Sequence, residues 1–203
     1  MPSLARFLLI GKDDWLDASL FHAVNHLAGH YDSIDDVVEF VSSKGPLVLV
    51  LMILVAWFWP GTRTERDQRQ WGGIAATIAA SLALAINQGI IRVWDRPRPF
   101  EAHHVVLLLK PSADPSFPSD HATFAFAVAV ALFLAWRRLG VIALVIAVLI
   151  GISRVYVGEH YLGDVVAGAA IGSVVALAVY QLKSVAMPLI DHPMRLARRV
   201  RLA

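Results

Sequence analysis

Residues 139–182 read LGVIALVIAVLIGISRVYVGEHYLGDVVAGAAIGSVVALAVYQL, and the fold turns on this stretch. It holds two apolar runs, 139–157 and 162–182, interrupted only by Gly158 to Tyr161. Each run approaches the roughly 20 residues with which an α-helix crosses a bilayer. The stretch therefore reads as two spanning helices joined at one membrane face by a short turn that carries His160.

Working outward, three further apolar segments qualify, over 42–60, 72–94 and 120–136. The breaks between segments are polar or proline-bearing: Pro60 to Gln70, Asp95 to Ser119, and Arg137-Arg138. Residues 13–41 differ. There Trp15, Leu16, Leu20, Phe21, Val24 and Leu27 alternate with Asp, His and Asn at helical spacing, which predicts an amphipathic helix at the interface that packs at the membrane edge and carries no chemistry. The expected fold is an all-α integral membrane protein: a bundle of five transmembrane helices plus an N-terminal amphipathic interfacial helix. One domain is expected over 1–203, with 1–41 interfacial, 42–182 the bundle and 183–203 a basic cytoplasmic tail. Composition agrees, since 57% of the 203 residues are hydrophobic and the mean hydropathy is +0.60, above a typical soluble domain. Phe7 to Ile10 is too short for a signal-peptide core, and Lys12, Asp13 and Asp14 follow at once, so no cleaved leader is expected.

The formal charge is +2, too small to point to nucleic acid, and the arginines gather at the ends of apolar runs. With no cysteine in the chain, disulfides, thiolate metal sites and a cysteine nucleophile are excluded. Lysines and arginines favour the cytoplasmic side of a membrane. Arg63, Arg66, Arg69, Arg137, Arg138, Lys183, Arg195, Arg198, Arg199 and Arg201 fall on one side, ten of the eighteen. That side is expected to be cytoplasmic. The segment 95–119 and the turn 158–161 then share the outer face, and the carboxyl terminus lies inside.

Three polar clusters stand at the outer ends of the helices: Arg92 with Arg96-Pro97-Arg98-Pro99, then Pro118-Ser119-Asp120-His121, then Ser153-Arg154 with His160 and Asp164. Each alone has an ordinary explanation, as a headgroup anchor, a helix cap or a structural histidine. Geometry links them. From His121 the chain runs inward to Arg137 and returns from Leu139 to Ser153, legs of roughly 24 and 21 Å at 1.5 Å per residue. The clusters therefore end at similar depth. Ionisable groups near membrane depth are costly and tend to be functional. Several arginines beside two histidines suit a multiply charged anion, because guanidinium forks match phosphate oxygens. Ser119 opens the 120–136 helix, whose free amides add anion stabilisation. Asp164, four residues after His160, is placed to hold one ring nitrogen protonated and leave the other free to attack phosphorus, with His121 placed to protonate the departing oxygen. Arginines supply the positive charge, so no metal or cofactor is expected. Glu101, His103 and His104 are the nearest candidate ligands, and adjacent histidines are poorly placed to chelate together.

In this order the clusters resemble the type 2 phosphatidic acid phosphatase superfamily, whose pattern is Lys, six residues, Arg-Pro; then Pro-Ser-Gly-His; then Ser-Arg, five residues, His, three residues, Asp. The resemblance spans residues 92–164. The third motif is complete from Ser153 to Asp164, and Asp120 takes the glycine position of the second. In the first, Ile91 stands at the lysine position and Arg92 one residue later, about 100° around a helix. The resemblance implies His160 as nucleophile oriented by Asp164, His121 as general acid, and Arg98, Ser119 and Arg154 as phosphate ligands, with Asp120 and Arg92 as further members of the phosphate site. The stretch Arg96-Pro97-Arg98-Pro99-Phe100 through His103-His104 to Ser116-Phe117-Pro118-Ser119-Asp120-His121 looks like the bacitracin-resistance type of undecaprenyl pyrophosphate phosphatase. It implies an enzyme of the cytoplasmic membrane that acts on a polyprenyl or glycerolipid phosphate. Phosphatidylglycerophosphate or phosphatidic acid phosphatase activity is the alternative within the class. A lipid transporter or scaffold is the alternative outside it. Soluble vanadium haloperoxidases share the anion pocket but not the five apolar runs. The sequence assigns no oligomeric state.

Overall fold

The computed structural model describes residues 15–186, and all its regular elements are helices. They are α1 (Trp15–Asn25), α2 (Asp32–Phe58), α3 (Arg63–Ile91), the four-residue α4 (Pro99–Ala102), α5 (Asp120–Ala135), α6 (Arg137–Tyr156) and α7 (Leu162–Gln181). The expected absence of a leader and most of the expected basic tail, with Arg195, Arg198, Arg199 and Arg201, lie outside the described residues.

Four of these helices, α2, α3, α6 and α7, are long and apolar enough to cross a membrane. The protein is thus a multi-span membrane protein. At 16 residues α5 is shorter, yet it is the hub, packing against α2, α3, α6 and α7. Its buried face is mostly small, with Ala122, Ala125, Ala127, Ala129 and Ala131, which lets neighbouring backbones approach closely. The approach is tightest on α7. A Cβ on Gly172 would lie 2.2 Å from the Thr123 carbonyl oxygen, and one on Gly168 would lie 2.5 Å from that of Ser119. Glycine is what allows α7 to sit there.

The region expected as one interfacial helix over 13–41 is divided. α1 stops at Asn25, Gly29 turns the chain with φ +78°, and residues 32–41 form the first turns of α2. Two acidic residues in the first turn, Asp32 and Asp35, favour a start there through the helix dipole. Asp35 also accepts from the Gly29 amide at 3.0 Å and the Tyr156 hydroxyl at 2.7 Å. α3 likewise begins at Arg63, inside the expected 60–70 break, because Thr62 and Glu65 form a reciprocal capping box.

One end of the bundle gathers the C-terminus of α3, the N-terminus of α5, the 157–161 turn and the 92–119 segment. Asn25 clamps this end: its side-chain amide donates to the carbonyls of Val106 and Tyr156, at 2.8 Å each, and its oxygen accepts from the Val106 amide. The turn itself depends on Gly158, at φ +88°, where a Cβ would also lie 2.7 Å from the Val106 oxygen.

Candidate active site

At this end a cavity of about 100 Å³ is lined by Ile91, Arg98, Asp120, His121, Arg154 and His160, with Pro118 and the 112–115 segment closing it. A water molecule takes roughly 30 Å³ of liquid volume, so the space suits one group of phosphoryl size rather than a large polar headgroup.

His160 sits in the turn between α6 and α7 and is 3% exposed. Its Nδ1 lies 2.8 Å from the carbonyl oxygen of Ser116. A carbonyl only accepts, so Nδ1 carries the proton and Nε2 presents its lone pair. Asp164 stands farther off, with Oδ2 at 3.7 Å from Nδ1. At that distance the expected direct Asp164–His160 hydrogen bond is not formed. His160 precedes α7, and the intervening residue Tyr161 is its extended N-cap, so the pair is not one helical turn apart. Asp164 instead accepts from the Ser116 hydroxyl at 2.5 Å and the Tyr161 amide at 2.9 Å. It thereby fixes both the residue that holds the imidazole and the turn that carries it. Burial pushes the His160 imidazole below its ordinary range; Asp164 opposes this, and the charges of Arg98 and Arg154 reinforce it. The neutral, nucleophilic form is favoured.

Two arginines flank the cavity. Arg98 is 5% exposed and donates through Nε to the Asp114 carbonyl at 2.7 Å and through Nη1 to the Glu159 carbonyl at 3.0 Å. Arg154 donates through Nη1 to the Ser42 hydroxyl of α2 at 2.8 Å, while its buried Nε finds no hydrogen-bond partner among the described residues. A buried donor without a partner beside a cavity is a group awaiting an acceptor.

The other expected residues divide. His121 lines the cavity from the first turn of α5. Asp120 lines it too, but its carboxylate accepts from the Asn87 side-chain amide at 2.7 Å. Ser119 is buried as the N-cap of α5, its hydroxyl accepting from the Ala122 amide and its own amide donating to the Asp164 carbonyl; it does not line the cavity. Arg92 is exposed at the end of α3, and Ile91 rather than Arg92 lines the cavity. Glu101, His103 and His104 are exposed, and among the described residues no group of three or more histidines and carboxylates is placed to hold an ion.

Four participants have roles that the sequence reading did not assign. Arg96 pairs with Asp164 at 2.6 Å and with Asp17 of α1 at 2.7 Å, and Asp17 also accepts from the Gly163 amide at 2.9 Å. Ser116 holds His160 from 44 positions away. Glu159 lies 2.6 Å from Arg98. Arg96 stood in the first polar cluster and Ser116 in the quoted motif stretch, and Glu159 left a signal as an acidic residue between Arg154 and His160.

Fold and site define a membrane lipid phosphatase, and the comparison with known proteins states the family: residues 71–188 match the PAP2 superfamily, to which the chain belongs. It is 29% identical over 181 residues to undecaprenyl-diphosphatase BcrC of Bacillus subtilis, covering 89% of this chain and 91% of that protein. It is 32% identical to the bacitracin transport permease protein BcrC of Bacillus licheniformis, covering 81% and 79%. The crystal structure of Aquifex aeolicus LpxE shares the fold, with a TM-score of 0.65 at 24% identity over 83% of this chain and 97% of that one.

Proposed function

We propose that this membrane lipid phosphatase hydrolyses undecaprenyl pyrophosphate to undecaprenyl phosphate and orthophosphate, through a phosphohistidine at His160. The observation that carries the reading is the Nδ1 contact of His160 with an obligate acceptor, which leaves Nε2 as the attacking atom beside a cavity flanked by Arg98 and Arg154. Nε2 attacks the terminal phosphorus, and the bridging P–O bond breaks with its electron pair passing to the departing lipid phosphate, which His121 protonates. Water then attacks the phosphorus, His121 takes the proton, and the P–N bond breaks to free orthophosphate and restore His160. Splitting one displacement into two is the gain of a covalent nucleophile. Arg98 and Arg154 neutralise the charge on the transferring group, as preorganised donors do, and no step calls on a metal.

The substrate is supported by relatives named for undecaprenyl diphosphate and by an apolar bundle beside a cavity sized for a phosphoryl group. The transport name of one relative is met by the His160, Ser116 and Asp164 array, which a carrier has no use for. Five crossings are inferred, with α5 as the short fifth, α1 at the interface, and the whole chain as one domain. The active end faces outward and the carboxyl terminus inward, in the cytoplasmic membrane, on the ten-of-eighteen charge split. The test compares phosphate release from undecaprenyl pyrophosphate, phosphatidylglycerophosphate and phosphatidic acid in one detergent. The highest kcat/KM is expected for undecaprenyl pyrophosphate. A preference for either glycerolipid would reassign the substrate, and no release from any of them would remove the hydrolase.

A further inference from the structure

A carboxylate sits where the chemistry calls for cations. Glu159 is 1% exposed, and one oxygen, Oε2, lies 2.6 Å from Arg98 Nη1 and 3.6 Å from Arg154 Nη2. Both guanidinium groups line the cavity, which Glu159 itself does not, and Oε2 engages charge that a phosphate would otherwise engage. The backbone fixes it there: the Glu159 amide donates to the Arg154 carbonyl at 3.2 Å, and its carbonyl accepts from Arg98. On the cavity wall itself, Ile91 adds no charge, and Asp114 and Asp120 are the acidic residues.

We propose that Glu159 is a built-in counter-anion that competes with phosphate for Arg98 and Arg154, offsetting their charge when no phosphate is bound and keeping the hold on orthophosphate weak. The inference rests on the hydrolase reading above and adds how the product leaves. Two buried guanidinium groups facing an empty cavity would carry uncompensated charge, which is costly in a low-dielectric interior. The carboxylate removes that cost. When a phosphate enters, the same carboxylate repels it at short range. Orthophosphate has only the polar site to bind it, whereas a lipid pyrophosphate also keeps the contacts of its chain with the bundle and bilayer. The repulsion therefore selects against the product more than against the substrate.

A purely structural role, in which Glu159 tethers Arg98, has the opposite sign, because loosening Arg98 would weaken every anion. The experiment uses the full chain in detergent, hydrolysing undecaprenyl pyrophosphate, with orthophosphate and orthovanadate as inhibitors. Glu159→Gln keeps the shape and removes the charge. Its inhibition constants for both anions are expected to fall by about tenfold or more, with a lower KM and no gain in kcat. Unchanged or weaker inhibition would overturn the proposal. The wild type supplies an arm that does not depend on the variant folding: its inhibition constant for orthophosphate should lie well above the KM for lipid, and a value below that KM would overturn the proposal equally. Should the wild type release no phosphate from any lipid, the hydrolase reading fails. Binding of orthophosphate by the variant, read from its thermal midpoint, still decides the role of Glu159.

Discussion

The His160 ring is held through a chain of hydrogen bonds rather than by one carboxylate. The Ser116 carbonyl sets its tautomer, the Ser116 hydroxyl is held by Asp164, and Asp164 is held in turn by Arg96. Because burial and two arginine charges lower the imidazole's proton affinity, neutral His160 persists as pH falls. The acid limb of kcat/KM, which reports the free enzyme, is expected below the usual imidazole value of about 6.5; a limb above it would mean that the site protonates His160 rather than keeping it neutral. The arginines are not equivalent. Arg98→Ala removes a buried guanidinium at the cavity and is expected to lower kcat/KM by about 10²-fold or more, whereas exposed Arg92→Ala should change it by less than about threefold. Equal losses would place Arg92 at the phosphate. The sequence made His160, His121, Arg98 and Arg154 legible because they lie in short motifs beside their neighbours in space. Ser116 and Asp17 were not legible, since they reach the site across 44 and 146 positions, to His160 and to Gly163, separations that only the packed fold closes.

Among the elements, α1 carries more than its amphipathic pattern announces. That pattern predicts packing alone, yet Asp17 ties the Gly163 amide and Arg96 together at the N-terminus of α7, while Arg96 lies over the Tyr161 ring at 4.2 Å. Asp17→Asn keeps an acceptor for Gly163 and removes the charge that faces Arg96. It is expected to lower kcat by roughly tenfold, with KM and thermal midpoint little changed, as a small misplacement of a reacting group would do. Wild-type kcat would return α1 to a packing role. The apolar runs of α6 and α7 were legible because length and hydropathy alone define them. The division of 13–41 was not, since residues on both sides of Gly29 share the same mixed pattern and the turn rests on one backbone angle and on Asp35, whose partners include Tyr156.

For the whole molecule, orientation and chemistry are linked, because a lipid phosphate must meet the cavity from one membrane face. The chain has no cysteine, so a single cysteine at exposed Thr64 or Ala113 reports each end of the bundle. In whole cells an impermeant thiol reagent is expected to label Ala113→Cys and to spare Thr64→Cys; the reverse pattern would invert the topology. The central claim, that hydrolysis passes through His160, is tested most directly by rapid quench into alkali of the purified full chain reacting with undecaprenyl pyrophosphate labelled in its terminal phosphate. The predicted result is acid-labile, alkali-stable label on His160 that forms before orthophosphate appears, with both label and turnover lost in folded His160→Ala. Normal turnover in folded His160→Ala would contradict the account, leaving direct attack by water as the mechanism and His160 as a ligand of the phosphate.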